Sequence, residues 1–206
     1  VVLFGVHLPR PSAKKAAAGR PLSFIVRQPR FITAMICAAV SYMLMNFIMT
    51  SAPLAMQMCG HPLETANLGM QWHVIAMYLP SFFAGRVVTF GLLMIGGSAI
   101  IGLAGIDVMH FWLTLILLGV GWNFGFVGAS AMVLESHRPE EATRVQSFND
   151  FIVFGTMAIG SFASGNLLAT YGWDMVLWVS FAPLILAVIV LALTAVLRPP
   201  PSVDRI

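Results

Sequence analysis

Six apolar runs, each close to the length needed to cross a lipid bilayer, divide this chain of 206 residues. They cover residues 31–52, 65–84, 87–105, 111–134, 145–169 and 175–197. About 20 apolar residues on a helix span the hydrocarbon layer, and the runs leave no room for a separate soluble domain. Strands of a membrane barrel would be about ten residues long with alternating polarity. The run 176–190 has no such alternation. The expected fold is all-α, a polytopic membrane protein of six transmembrane helices. Residues 1–8 read as the end of a preceding helix, 9–30 as a cytoplasmic linker and 198–206 as a cytoplasmic tail.

Charge sets the orientation. Only 9% of residues are charged, 59% are hydrophobic and the mean hydropathy is +0.88. A soluble domain carries about 25% charged residues, so this chain lacks the charge to cover a surface in water. All 11 Lys and Arg residues lie in residues 1–30, at Arg86, at Arg138 and Arg144, or at Arg198 and Arg205. The loops 53–64, 106–110 and 170–174 hold none. Positive charge stays on the cytoplasmic side, so both termini are expected there. Within the linker, Leu22, Ile25 and Val26 recur at helical spacing among arginines. That segment reads either as lying flat on the inner leaflet or as a solvated connection. Cys37 and Cys59 are 22 residues apart across one run, about 33 Å on a helix, too far for a disulfide. No metal-ligand spacing occurs, and no cofactor is expected.

The runs differ in decoration. The third and sixth are almost wholly apolar and suit a lipid-facing periphery. The others carry Tyr42 and Asn46; Asn67, Gln71, His73 and Tyr78; Trp122, Asn123 and Ser130; Asn149, Asp150 and Asn166. Polar groups in lipid are costly and normally face the bundle interior or a wet cavity. His73 and Asn123 fall near the bilayer midplane, where secondary transporters bind substrate. Asn46, Gln71, His73, Trp122 and Asn123 are therefore the candidate substrate contacts, and His73 the candidate proton carrier. Each also reads as interhelical glue. At 100° per residue, His73 lies about 160° around its helix from the stripe of Gln71 and Tyr78, so Gln71 and His73 cannot both point straight into one cavity. Arg86, Glu135, Arg138, Arg144 and Asp150 form a candidate cytoplasmic gate, the last four flanking or within a charged loop. Gly121, Gly125 and Ala129, spaced by four, read as a packing face.

Two stretches carry a family resemblance. Leu118-Gly-Val-Gly-Trp-Asn-Phe-Gly-Phe-Val-Gly128, Arg138-Pro-Glu-Glu141 and Gln146-Ser-Phe-Asn-Asp150 resemble the tenth helix, the next loop and the eleventh helix of the major facilitator superfamily. Gln71-Trp-His73 with Pro80-Ser-Phe-Phe-Ala-Gly-Arg86 resembles the eighth. The family's basic loop after that helix is cut here to Gly85-Arg86. The resemblance implies the C-terminal six-helix half of a permease in a bacterial inner membrane. It implies alternating-access transport of a small organic solute, proton-coupled through His73, with an N-terminal six-helix half as partner. The other reading is a non-transporting scaffold or a remnant of a truncated transporter. Enzyme chemistry is not expected. Gly128-Ala-Ser-Ala131 lacks the second glycine of an intramembrane serine protease, and His137, the only later histidine, falls in a loop. The expected partners are the solute, the bilayer and the other half, with no nucleic acid.

Overall fold

The computed structural model describes residues 19–82 and 88–196. Arg86, with the short joint around it, residues 1–18 and the tail from 197 lie outside the described residues. Among the described residues the fold is all-helical. A short helix α1 (Leu22–Ile25) leads to α2 (Pro29–Met58) and α3 (Leu63–Tyr78), which tightens into a 3-10 turn over Leu79–Phe82. α4 is Val88–Ala104 and α5 is Val108–Trp122. A π-helical turn, Asn123–Val127, joins α5 to α6 (Gly128–Leu134). A 3-10 turn, Pro139–Glu141, opens α7 (Ala142–Tyr171), and α8 is Trp173–Val196.

Each helix after α1 overlaps one of the apolar runs and several extend past it. α2 begins two residues before its run, where Pro29 occupies the first turn, a position in which the missing N–H costs nothing. Among the described residues, four helical stretches are long and apolar enough to cross a membrane: Pro29–Met58, Val108–Leu134, Pro139–Tyr171 and Trp173–Val196. α4 is apolar but has 17 residues, and α3 has 16. The turn after α3 has a local cause. Pro80 offers no N–H to the carbonyl of Ala76, so the α-helical ladder stops there. Gly60 and Gly172 follow α2 and α7 with φ of +84° and +83°, a left-handed conformation that side chains disfavour.

α2 is the central helix. It packs against α7, α8, α6, α5 and α3, while α4 packs on α5 and α8. The main core runs from Cys37 and Leu44 on α2 through Leu92, Leu115 and Leu118 to Val176 and Leu177. α4 and α5 touch through glycines. A Cβ on Gly121 would lie 2.8 Å from the Ile95 nitrogen and 2.9 Å from the Gly91 carbonyl, so the backbones meet without side chains between them. The outer face of α8 is apolar, with Trp178, Ile185, Ile189 and Leu193 exposed.

A second, smaller core closes one end. Ile25 of α1 is buried with Phe31, Ala34, Val133 and Val145. The segment 20–28 is thus folded onto the helical bundle. Its apolar residues found a protein surface, which the helical spacing alone could not distinguish from a lipid one.

Candidate functional site

α3 and α5 are held together by backbone proximity and two buried polar side chains. A Cβ on Gly119 would stand 2.7 Å from the His73 carbonyl oxygen. That closeness lets His73, fully buried, reach the Leu115 carbonyl with Nδ1 at 2.6 Å. A carbonyl only accepts, so Nδ1 carries the proton and Nε2 presents a lone pair. Nε2 is buried without a partner among the described residues. One turn of packing further, Asn123 is also fully buried. Its Nδ2 donates to the Met77 carbonyl at 2.7 Å and to Ser81 Oγ at 2.5 Å. It thereby caps the end of α3, where the ladder is interrupted. Asn123 Oδ1 has no partner among the described residues. Gln71 is exposed on the other side of α3, two turns from Tyr78.

Aromatic rings from four helices converge in front of this seam. Tyr42 of α2 lies 4.9 Å from Phe126, 5.6 Å from Phe154 of α7 and 5.7 Å from Trp122, all edge-on. Trp122 and Phe126 stack at 5.3 Å with planes 16° apart. Tyr78 of α3 meets Trp122 edge-on at 6.2 Å. These separations match the favourable range for aromatic pairs. The π-helical turn lies between Trp122 and the end of Phe126's segment, and such turns inside α-helices recur at functional sites. The cluster is not sealed, since Tyr78 is 60% and Phe154 47% exposed. Trp122 is only 7% exposed, and its indole N–H has no acceptor among the described residues.

Polar pairs continue this face along the α2–α7 seam. Asn46 Nδ2 donates to Ser161 Oγ. Thr50 Oγ1 and Ser164 Oγ are 3.0 Å apart. Tyr42, Asn46 and Thr50 succeed each other at single turns, about 6 Å apart.

The candidate gate residues lie at the other end. Arg30, at the start of α2, pairs with Glu135, just past α6. Asp150 accepts a 3.4 Å bond from Asn149 Nδ2 beside a cleft of about 220 Å3 lined by Ser130, Gln146 and Asn149. Arg138 and Arg144 are exposed, and the Arg138 backbone N–H donates to Glu141 at 2.9 Å. The charge at the centre is Glu141, which the sequence reading did not single out. Its carboxylate is fully buried and accepts from Arg20 N at 2.8 Å, Nε at 2.9 Å and Nη2 at 2.8 Å. The Arg20 guanidinium, then the backbone N–H groups, hold this carboxyl well below the usual carboxylate range, against burial, which pushes it up. The Arg20 guanidinium also lies 5.7 Å from the Phe24 ring.

The riboflavin transporter RfnT of Brucella anthropi is 47% identical to this chain over 210 residues, 96% of this chain and 52% of that protein. Two Bacillus subtilis proteins, the uncharacterized MFS-type transporters YddS and YdeG, are 30% and 29% identical, each over 63% of this chain. The chain belongs to the major facilitator superfamily. It spans about half the length of the riboflavin transporter, and its matched stretches cover about a third of each of the other two. No family model matches it, and no solved structure does. It is an integral membrane protein of this family.

Of the five candidate contacts, Trp122 belongs to the open aromatic face and Asn46 to the polar seam beside it, Gln71 is exposed on α3 two turns from Tyr78, and His73 and Asn123 are buried between α3 and α5. Phe126 and Phe154 were missed. Phe126 is four residues from Trp122, a spacing that signals one helix face, but Phe154 reads from the sequence as an ordinary lipid-facing residue.

Proposed function

We propose that this chain is the C-terminal six-helix half of a major facilitator permease that moves riboflavin, or a solute of closely similar structure, by alternating access. The observation that carries the reading is 47% identity to a riboflavin transporter along 96% of the chain. All six long helices cross the membrane in this reading, with the ends of the chain and the 135–141 loop on the cytoplasmic side of a bacterial inner membrane. Support comes from the one-sided distribution of the 11 basic residues. The partner is an N-terminal six-helix half, which would cover the exposed aromatic and polar face and close the solute between the two.

Within this site Asn46, Gln71 and Trp122 contact the solute, and Asn123 fixes the α3 end that carries Tyr78. His73 is the proton-coupling group. Its support is an imidazole held by Leu115 at Nδ1 with the basic Nε2 free to take a proton. Arg30, Glu135, Arg138, Arg144 and Asp150 close the cytoplasmic end, joined by Arg86, which follows α3 in sequence.

The test is uptake of radiolabelled riboflavin by a riboflavin-auxotrophic bacterium expressing the full-length protein, measured between pH 5.5 and 8. Saturable uptake that rises at acid pH, with that pH dependence lost in His73→Gln, is expected. Absence of saturable riboflavin uptake overturns the substrate. A normal pH profile in His73→Gln overturns the coupling role and leaves His73 as a tie between α3 and α5.

A further inference from the structure

We infer that the rings of Tyr42, Tyr78, Trp122, Phe126 and Phe154 form a stacking platform for a flat fused-ring system. The Asn46–Ser161 and Thr50–Ser164 pairs beside it take a hydroxylated chain attached to that ring. The inference rests on the riboflavin reading above and assigns the two chemically distinct parts of such a solute to two parts of the site.

Three observations converge. First, the five rings come from α2, α3, the α5–α6 junction and α7, so tertiary structure assembles them. Their open edge is formed by Tyr78 and Phe154. A planar heteroaromatic ring matches that surface by offset or edge-to-face stacking, which tolerates many substituents and needs little side-chain ordering. Second, Trp122 is nine-tenths buried at the centre of the cluster, yet its indole N–H has no acceptor among the described residues. Buried donors are normally satisfied. This N–H is closed off as the ring stands, so a carbonyl oxygen on the pyrimidine edge of a flavin ring meets it once the indole turns toward the open edge. Third, the polar pairs lie one and two turns from Tyr42 on the same seam, about 6 and 12 Å along α2. A five-carbon polyol leaving the ring system covers the first of these distances, and its terminal hydroxyl points toward the second pair. Hydroxyl and amide groups there exchange hydrogen bonds with a polyol as readily as with each other.

Flavin emission is quenched when the ring stacks on tyrosine or tryptophan, which gives a binding signal independent of transport. The experiment titrates the purified full-length protein in nanodiscs with riboflavin. It is repeated with lumichrome, which keeps the ring and lacks the chain, and with ribitol as a competitor that has the chain alone. Wild type is expected to bind riboflavin and lumichrome with quenching, and ribitol to compete weakly. Tyr78→Leu and Phe154→Leu should each weaken both flavins about three- to tenfold, the range of an aromatic pair, while Tyr78→Phe keeps wild-type affinity. Trp122→Phe, which keeps a ring and removes the N–H, should weaken both ligands. Asn46→Ala should weaken riboflavin and leave lumichrome unchanged. Both leucine substitutions are at exposed positions, and melting curves with size-exclusion profiles check that the variants fold. If wild type binds riboflavin but the leucine variants bind lumichrome as tightly as wild type, the platform is wrong and the riboflavin reading stands. If wild type binds neither flavin, the riboflavin reading falls and takes the flavin platform with it.

Discussion

Glu141 has no exposed surface, and it keeps its charge because four N–H donors converge on it. Arg20 presents a two-pronged guanidinium, the geometry that binds carboxylates most strongly. The backbone of Arg138 supplies the fourth donor, so Glu141 also reaches back over the start of its own turn. This contact pins residues 19–28 to the loop before α7 across 121 positions of sequence. Its pH dependence follows from the direction of the shift. The folded carboxyl titrates below its ordinary value, about 4.3, because of Arg20 first. Its contribution is whole at neutral pH and is lost as pH falls below that ordinary value toward the depressed one. Glu141→Gln and Arg20→Gln should each lower the melting temperature of the full-length protein at pH 7. The double variant should be no worse than the more damaging single one, since both remove the same contact. Hydrogen exchange at residues 20–28 should accelerate in both. Additive losses at pH 7, or unchanged exchange in that segment, would show that the pair holds nothing.

At the scale of helices, backbone proximity decides more than side-chain chemistry. His73 and Asn123 reach their carbonyl partners only because Gly119 leaves no side chain between α3 and α5. In Gly119→Ala the new methyl meets the His73 carbonyl at 2.7 Å and the Met77 nitrogen at 3.1 Å, both backbone atoms that cannot rotate away. The helices must separate, so a loss of about 1–3 kcal/mol is expected, the usual range for overpacking. Gly97→Ala is the control, because its methyl meets only Leu117 Cδ2 at 3.6 Å. It should be neutral or stabilise slightly, since alanine favours a helix. Thermal unfolding of both variants in one detergent checks the pair, and equal losses would remove the close-approach argument. The same contrast shows what was legible in the sequence. The helices were legible because a 20-residue apolar run has one physical solution in lipid, and the Gly121–Gly125 spacing announced a close face. Trp122 and Tyr42 stood out as polar-tipped aromatics in apolar runs. The docking of α1 was not legible, because Ile25 meets Val133 and Val145 from a hundred residues away. Nor was the Arg20–Glu141 pair, since an arginine in a basic linker and a glutamate in a charged loop look like solvated surface. The π-helical turn has no sequence signal of its own. It arises where Gly125 must pass close to Ser41 and Gly91 while Asn123 caps a neighbouring helix.

Across the whole molecule, the buried and exposed helices sort by position. Two thirds of the most apolar window of α2 is buried, against 22% for the Pro139–Tyr171 stretch and 28% for α8. α2 is thus an axis, and α7 and α8 turn broad apolar faces outward, which only lipid or other membrane helices can cover. α2 also has 30 residues, about 45 Å of helix, against about 30 Å of hydrocarbon. Its ends must therefore tilt or protrude. Arg30 marks one end and the exposed Cys59 follows the other. The two cysteines make a natural probe, because Cys37 is buried in the same helix and Cys59 is not. The proposed orientation, with positive charge retained in the cytoplasm, would put Arg30, its partner Glu135 and the exposed Glu140 inside. Cys59 then faces the cell exterior. In a full-length protein with Cys59 as its single cysteine, a membrane-impermeant maleimide added to intact cells should label it. With Cys59→Ser and Glu140→Cys, the same reagent should label only after the membrane is permeabilised. Because both sites are exposed, a failure to label cannot be put down to burial within this chain. Labelling of Glu140→Cys in intact cells, with Cys59 reacting only after permeabilisation, would reverse the orientation and with it the assignment of the Arg30–Glu135 end as the cytoplasmic gate.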